Sequence, residues 1–175
     1  MGFRPKTRWV KYDPKTKLWI PTRKRAYLYW FKFLQHAERD PEYKVQWNKY
    51  DGWGGANVVL GSRFDDWWSD RWVDLFAVEK EGDTPKYPLS TKQPKADGIR
   101  YALLVYENLH RGSNWEIGEY LAKKERSGRG FINSSFKETE DLKDYNDKSY
   151  VQSKVGRYKK AAHKYLTNVS NGQFP

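Results

Sequence analysis

Cysteine is missing from this chain of 175 residues, and histidine occurs only three times, at His36, His110 and His163. Without cysteine the chain can form no disulfide, no thiolate zinc site and no cysteine nucleophile. Three scattered histidines are poor material for a metal site. We therefore expect a protein that is not an enzyme and that needs no cofactor.

Long apolar runs are also lacking. No segment approaches the roughly 20 apolar residues that a membrane-spanning helix needs. The basic N-terminal residues are not followed by the apolar segment of a signal peptide. We expect no membrane partner and a location in the cytoplasm of the host cell, with a virion as the alternative.

Acidic residues are scarce at both ends of the chain, although the net charge of the whole is only +11. Residues 1–25 carry nine Lys or Arg and one Asp, and residues 143–175 carry seven basic and two acidic residues. The residues between them are near neutral, with 17 basic and 19 acidic side chains. Basic ends predict a polyanionic partner, most often DNA or RNA, because neutralised phosphates release counterions. The alternative is that lysines keep an aromatic-rich chain soluble.

Aromatic residues are abundant and make up 17% of the chain, with nine Trp among them. Such side chains anchor cores, fill protein interfaces or stack on unpaired bases, and composition does not distinguish these uses. Their excess supports an alternative function, a protein–protein component of a larger nucleoprotein or virion assembly, or an inhibitor of a host machine.

Residues 8–21 have the pattern of a β-hairpin, with strand-forming residues on either side of a turn that begins at Asp13-Pro14. If its cations remain outside, the hairpin presents a basic ridge that can lie along phosphates. The alternative is a small solvated hairpin over the core. These cations are Arg8, Lys11, Lys15 and Lys17.

Thr22 is predicted to cap a helix that starts at Arg23 and continues to about Arg39, and Pro41 is predicted to begin a further short helical piece. Arg23, Lys24 and Arg25 in the first turn oppose the helix dipole, which suggests that an anionic group lies nearby. Apolar residues occupy two faces of the pattern, so we expect a central core helix.

Residues 63–76 give the clearest helical pattern of the chain, with large apolar residues on one face and three aspartates on another. Carboxylates on successive turns can hold a divalent cation only if further ligands converge on it. A metal-dependent nuclease is therefore our third hypothesis, and an acidic face that mimics nucleic acid or binds a basic partner is a further alternative to a solvated face. The apolar set is Phe64, Trp67, Trp68, Trp72 and Leu75, and the acidic set is Asp66, Asp70 and Asp74.

Two amphipathic helices around a glycine turn are predicted over residues 97–126, either as a helix-turn-helix or as a hairpin packed in a core. Asp97 is expected to cap the first, and Ser113 with Glu116 forms the S-x-x-E capping box of the second. Glu116 and Glu119 lie in the half of the second helix that usually contacts bases. We therefore expect the two helices to serve as a scaffold and not to read the base sequence.

In a winged variant, the residues after this pair would form the wing, and Arg126 and Arg129 would touch phosphate. A disordered loop is the alternative there. The last helix is predicted from Asp147 to Ser170, with Asn171-Gly172 as its stop. Its remaining faces are basic and include Lys154, Arg157, Lys160 and Lys164, which bind phosphate or a partner, or else stay in water.

Two short sequences carry a resemblance. The run Phe64-x-x-Trp67-Trp68 followed by Leu75-Phe76, and the final residues 169–175, VSNGQFP, resemble features of uncharacterised small proteins encoded by phages and integrated mobile elements. The resemblance implies a genomic setting and transfers no catalytic residue.

The fold expected from these patterns is mainly α with a small N-terminal β-hairpin, a helical bundle that contains a candidate helix-turn-helix or winged-helix-like unit. We expect one domain over 1–175, composed of a basic hairpin arm (1–22), an aromatic helical region (23–78), a Pro-rich connector (79–96) and a second helical region (97–175). The leading hypothesis is a non-enzymatic nucleic-acid-binding protein of a phage or mobile element that contacts backbone phosphates. The residues expected to bind are Arg4, Arg8, Lys11, Lys15, Lys17, Arg23, Lys24, Arg25, Arg126, Arg129, Lys154, Arg157, Lys160 and Lys164.

Overall fold

The computed structural model describes residues 10–91, 94–124 and 145–175, and these are mainly helical with one two-stranded antiparallel hairpin. The predicted fold class is confirmed. The strands and α-helices of the described ranges are β1 (Val10–Asp13), β2 (Leu18–Pro21), α1 (Lys24–Arg39), α2 (Gly55–Gly61), α3 (Phe64–Phe76), α4 (Ala96–Glu107), α5 (Asn114–Lys124) and α6 (Tyr145–Ser170), with 3-10 turns at Trp47–Lys49 and Leu109–Arg111.

The chain divides into two compact units. The first unit comprises Met1–Pro94 together with Leu166–Pro175, and the second comprises Lys95–Tyr165. The predicted connector, residues 79–96, therefore ends where the second unit begins. This division into compact units does not test whether residues 1–175 form a single domain, which remains a prediction.

The hairpin forms as predicted, and the Asp13 side chain holds its turn. The Asp13 carboxylate accepts hydrogen bonds from the backbone amides of Lys15 and Thr16, each at 3.3 Å, and from the Thr16 hydroxyl at 2.7 Å. Trp19 then exchanges two backbone hydrogen bonds with Val78, at 2.8 and 2.9 Å. This pairing gives the hairpin the outside support that an isolated two-stranded ribbon lacks.

Helix α1 ends where predicted but begins one residue later than expected. Arg23 occupies the N-cap, and its side chain forms no capping hydrogen bond. The predicted Thr22 cap is wrong because the Arg23 carbonyl is already the acceptor for the amide of Ala26, at 2.9 Å. The short helical piece predicted from Pro41 to about Asp51 forms only as a 3-10 turn at Trp47–Lys49. At its predicted start the Asp40 carboxylate instead forms a local turn by accepting the amide of Glu42 at 3.0 Å.

Helix α1 is the centre of an aromatic core in the first unit, as its two apolar faces predicted. Trp30 lies near the middle of this core, where its ring packs against five others. The Trp30 indole donates a hydrogen bond to the Tyr50 hydroxyl at 3.0 Å, and that hydroxyl donates to the carbonyl of Val169. The buried α1 residues are Ala26, Tyr27, Tyr29, Trp30, Phe31, Phe33, Leu34 and Ala37.

Residues that follow α6 also enter this core. The Phe174 side chain is fully buried, with ring centroids 5.8 Å from Trp30 and 5.9 Å from Phe33. Its carbonyl accepts a hydrogen bond from the amide of Ser90 at 2.7 Å. Gly172, at a φ of 77°, ends the helix as its sequence predicted and turns the chain toward the core.

In the second unit, α4 and α5 are joined through a short 3-10 turn and Gly112, which has a φ of 111°. The capping box is confirmed, because the Glu116 carboxylate accepts the Ser113 amide at 2.7 Å and the Ser113 hydroxyl accepts the Glu116 amide at 3.3 Å. The Asp97 cap is wrong, since α4 begins earlier, at Ala96, with Lys95 as N-cap. The core of this unit comprises Tyr101, Val105, Ile117, Leu121, Val151 and Val155.

Gly118 of α5 packs directly against Val151 of α6, and we expect Gly118→Ala to destabilise the second unit by about 2 kcal/mol. A Cβ at this position would lie 2.2 Å from Cγ1 of the buried Val151, and overpacking of this kind costs typically 1–3 kcal/mol. Gly156→Ala in α6 is the matched control, because its Cβ would meet only Nδ2 of Asn114, at 3.5 Å. There the substitution should not destabilise the unit, since alanine is more favourable than glycine in a helix by about 1 kcal/mol. Denaturant unfolding of both variants checks the difference. Equal stabilities would contradict the close packing.

Candidate nucleic-acid interface

The first group of predicted cations lies on the hairpin. Lys11, Lys15 and Lys17 are exposed, and none of them forms an ion pair with another residue of the described ranges. The one carboxylate of the hairpin, that of Asp13, is held by its turn hydrogen bonds, chiefly that from the Thr16 hydroxyl, which lower its pKa. We call these three lysines the hairpin surface.

The cations at the start of α1 are engaged within the protein. The ammonium of Lys24 lies 2.7 Å from the carboxylate of Asp65 and lies over the rings of Phe64 and Trp68, 5.6 and 5.9 Å from their centroids. The hydrogen bond from Lys24 is the main reason why the pKa of Asp65 is lowered. The anionic group that the sequence suggested near this helix start is therefore present within the chain itself.

Arg25 is engaged in a similar way. Its Nε donates a hydrogen bond to the Tyr29 hydroxyl at 3.1 Å, and its guanidinium lies 5.7 Å from the centroid of the same ring. The predicted contact of Lys24 and Arg25 with phosphate stays a prediction, but these two side chains have intramolecular partners and are weaker candidates than the hairpin lysines.

The second group of cations lies along α6, whose predicted bounds are nearly those observed. Arg157, Lys160 and Lys164 are all exposed and recur at steps of three and four residues, so they share one face within about 60° of each other. They span about 10 Å along the helix axis. We call these three residues the α6 stripe.

The α6 stripe has no acidic residue near it in the sequence, because no Asp or Glu follows Asp147. None of the three stripe residues forms an ion pair with a residue that the structure describes. Lys154, also predicted to bind, is half-buried and lies 5.7 Å from the centroid of the Tyr150 ring. It therefore flanks the stripe rather than belonging to it.

Helix α5, the candidate recognition helix, presents a different surface. The Glu116 carboxylate is used in the capping box, whose hydrogen bond from the Ser113 amide lowers its pKa. Glu119 pairs with the ammonium of Lys123 at 3.1 Å. Glu116 and Glu119, the acidic residues that make base recognition by α5 doubtful, therefore lie on its outward side. Because Lys123 is paired with Glu119, it adds little net positive charge to this surface.

About half of the aromatic side chains of the described residues are buried in the core, and most of the others are half-buried. Among the described residues, the exposed large apolar side chains are Tyr12, Val73 and Tyr150. The sequence-based list of binding residues omitted Tyr12, because composition alone does not show which aromatic side chains the core leaves outside. A base-stacking role for the aromatic excess as a whole therefore has little support.

The acidic face of α3 forms as predicted, with Asp66, Asp70 and Asp74 exposed opposite buried tryptophans. Across residues 10–91, 94–124 and 145–175, no three His, Asp or Glu side chains are grouped so that they could hold a metal ion. Within those same ranges, none of the helices combines the length and apolarity that a bilayer crossing requires.

Four predicted binding residues, Arg4, Arg8, Arg126 and Arg129, lie outside the described residues, as does the predicted wing. Comparisons of the chain with protein-family models, with curated proteins and with solved structures find no match.

Proposed function

We propose that this chain is a non-enzymatic nucleic-acid-binding protein that contacts mainly backbone phosphates. The α6 stripe is the observation that carries the proposal, because three exposed cations share one helix face with no acidic residue beside them in the sequence. Phosphate contacts of this kind fix a protein on nucleic acid without reading bases. The outward face of α5, with its acidic and internally paired residues, fits such sequence-independent binding.

The hairpin surface is the second part of the proposal. Its three lysines are exposed on a hairpin supported by Val78, so their backbone is held while their ammonium groups remain in water. Origin in a phage or mobile element is also part of the proposal and rests on the sequence resemblance alone.

The test is a salt series with an unrelated duplex and an unrelated single strand. Each phosphate contact contributes a slope of about −0.9 to the log–log plot of affinity against salt for a duplex, so six contacts would give about −5. We expect clear binding at low salt and a steep negative slope, measured by fluorescence anisotropy. A slope near zero, or no binding at low salt, would contradict the proposed function.

The alternative, a protein–protein component of a larger assembly or an inhibitor of a host machine, keeps one supporting observation. The exposed aspartates of α3 lie beside Val73, one of the exposed apolar side chains of the described residues, and such a face fits a partner with a basic surface. Light scattering and pull-down from the source cell test it. A clean monomer that captures no protein would count against it.

A further inference from the structure

Tyr12 is the most exposed large apolar side chain of the described residues, at 50%. It lies on β1 directly opposite Trp19 of β2, with ring centroids 5.6 Å apart and planes inclined at 62°. Trp19 is held in turn by its two backbone hydrogen bonds to Val78. Trp19 therefore contacts the Tyr12 ring in an edge arrangement, while half of the surface of Tyr12 stays exposed.

The charges around this ring favour a polyanion. Lys11 precedes Tyr12 in β1, where successive side chains point to opposite faces, and Lys15 and Lys17 both lie in the turn. All three are exposed, whereas the one carboxylate of the hairpin, Asp13, is occupied by hydrogen bonds from Lys15 and Thr16. Proteins stack an unpaired base on an exposed aromatic ring while cations elsewhere on the same surface hold its backbone.

We propose that Tyr12, supported by Trp19, is a stacking site for an unpaired base, and that the hairpin surface binds single-stranded nucleic acid. Duplex bases are stacked on each other and offer no free face to Tyr12, so this site would add affinity only for a single strand. The inference rests on the proposed function and adds the class of nucleic acid that the hairpin selects.

The experiment compares Tyr12→Ala, Tyr12→Leu and Tyr12→Phe with Tyr150→Ala, which removes the exposed tyrosine of α6 and is the matched control. Binding of oligo(dT) and of a duplex of equal length is measured at one salt concentration and across a salt series. We expect Tyr12→Ala and Tyr12→Leu to weaken oligo(dT) binding roughly 5- to 150-fold and to leave duplex affinity and both salt slopes unchanged. Tyr12→Phe keeps the ring and is expected to bind like the unaltered chain, as is Tyr150→Ala.

The outcomes separate this inference from the proposed function. If Tyr12→Ala and Tyr12→Leu both bind oligo(dT) as tightly as the unaltered chain, and binding remains salt-dependent, the stacking site is overturned and phosphate binding stands. Equal losses for oligo(dT) and duplex would also overturn it, because stacking cannot act on paired bases. If the unaltered chain binds neither ligand at low salt, the proposed function fails and the stacking site fails with it.

Discussion

Replacing Arg157, Lys160 and Lys164 with alanine is expected to lower the magnitude of the salt slope for duplex binding by about 2.7, at 0.9 for each lost phosphate contact. All three are exposed and share one face of α6, so their removal should leave the packing of the helix intact. Affinity at low salt should fall with the slope. The measurement is fluorescence anisotropy across a salt series, beside far-UV circular dichroism as a check on the helix.

The matched control is the triple replacement of Lys32, Lys44 and Lys80, which are exposed on the first unit and removed from the α6 stripe in the sequence. It changes the net charge by the same three units. If both triple variants reduce the slope equally, general charge and not the stripe attracts the nucleic acid. If the stripe variant keeps the full slope, phosphate contact by α6 is contradicted.

Phe174→Ala is expected to destabilise the first unit by about 3–5 kcal/mol, the range for a fully buried phenylalanine. The ring packs between Trp30 and Phe33, and its loss would leave a cavity among rigid aromatic rings that cannot readily collapse. Urea unfolding followed by tryptophan fluorescence measures the change in the free energy of unfolding.

Gln173→Ala is the control for this variant, because the Gln173 side chain is exposed although it is adjacent in the sequence. A loss below about 1 kcal/mol is expected there, as for most surface substitutions. If Phe174→Ala cost no more than Gln173→Ala, the final residues would not be part of the core.

The parts of the fold that the sequence predicted are those that depend on neighbouring residues. The hairpin follows from a turn at Asp13-Pro14, and the capping box follows from two side chains three residues apart, Ser113 and Glu116. Helices α3 and α6 have regular apolar spacing, and their observed bounds are close to those predicted. Each signal is local, so it survives without knowledge of what packs against it.

The predictions that were wrong depend on interactions that a local sequence pattern does not show. Thr22 and Asp97 are good capping residues, yet each helix begins where the preceding backbone becomes the first acceptor, at Arg23 and at Lys95. Tertiary packing also involves the predicted connector, since Tyr87 within it is buried. Its ring packs against Trp30 and Trp53, which no neighbouring residue could have indicated.

The sequence predicts which residues of the candidate site are charged, but it does not show which of them form ion pairs within the protein. The sequence predicts a phosphate contact for Lys24 and for Lys160 alike. The structure distinguishes the two side chains, because Lys24 is paired with Asp65, a residue 41 positions later in the chain. Tyr12 was missed because composition counted aromatic residues without showing which of them the core would leave outside. Contacts between residues distant in sequence decide both points.

The aromatic core of the first unit also has an optical consequence. Of the nine tryptophans, eight belong to the first unit and only Trp115 belongs to the second. Within the first, Trp53 and Trp67 hold their indole rings 4.7 Å apart, which fixes chromophores in an asymmetric environment. The tryptophan bands of the near-ultraviolet circular dichroism spectrum should therefore report mainly on the first unit, while far-ultraviolet signals follow the helices of both. Heating an unmodified sample and recording both bands would show from light absorption alone whether the two units lose their structure together.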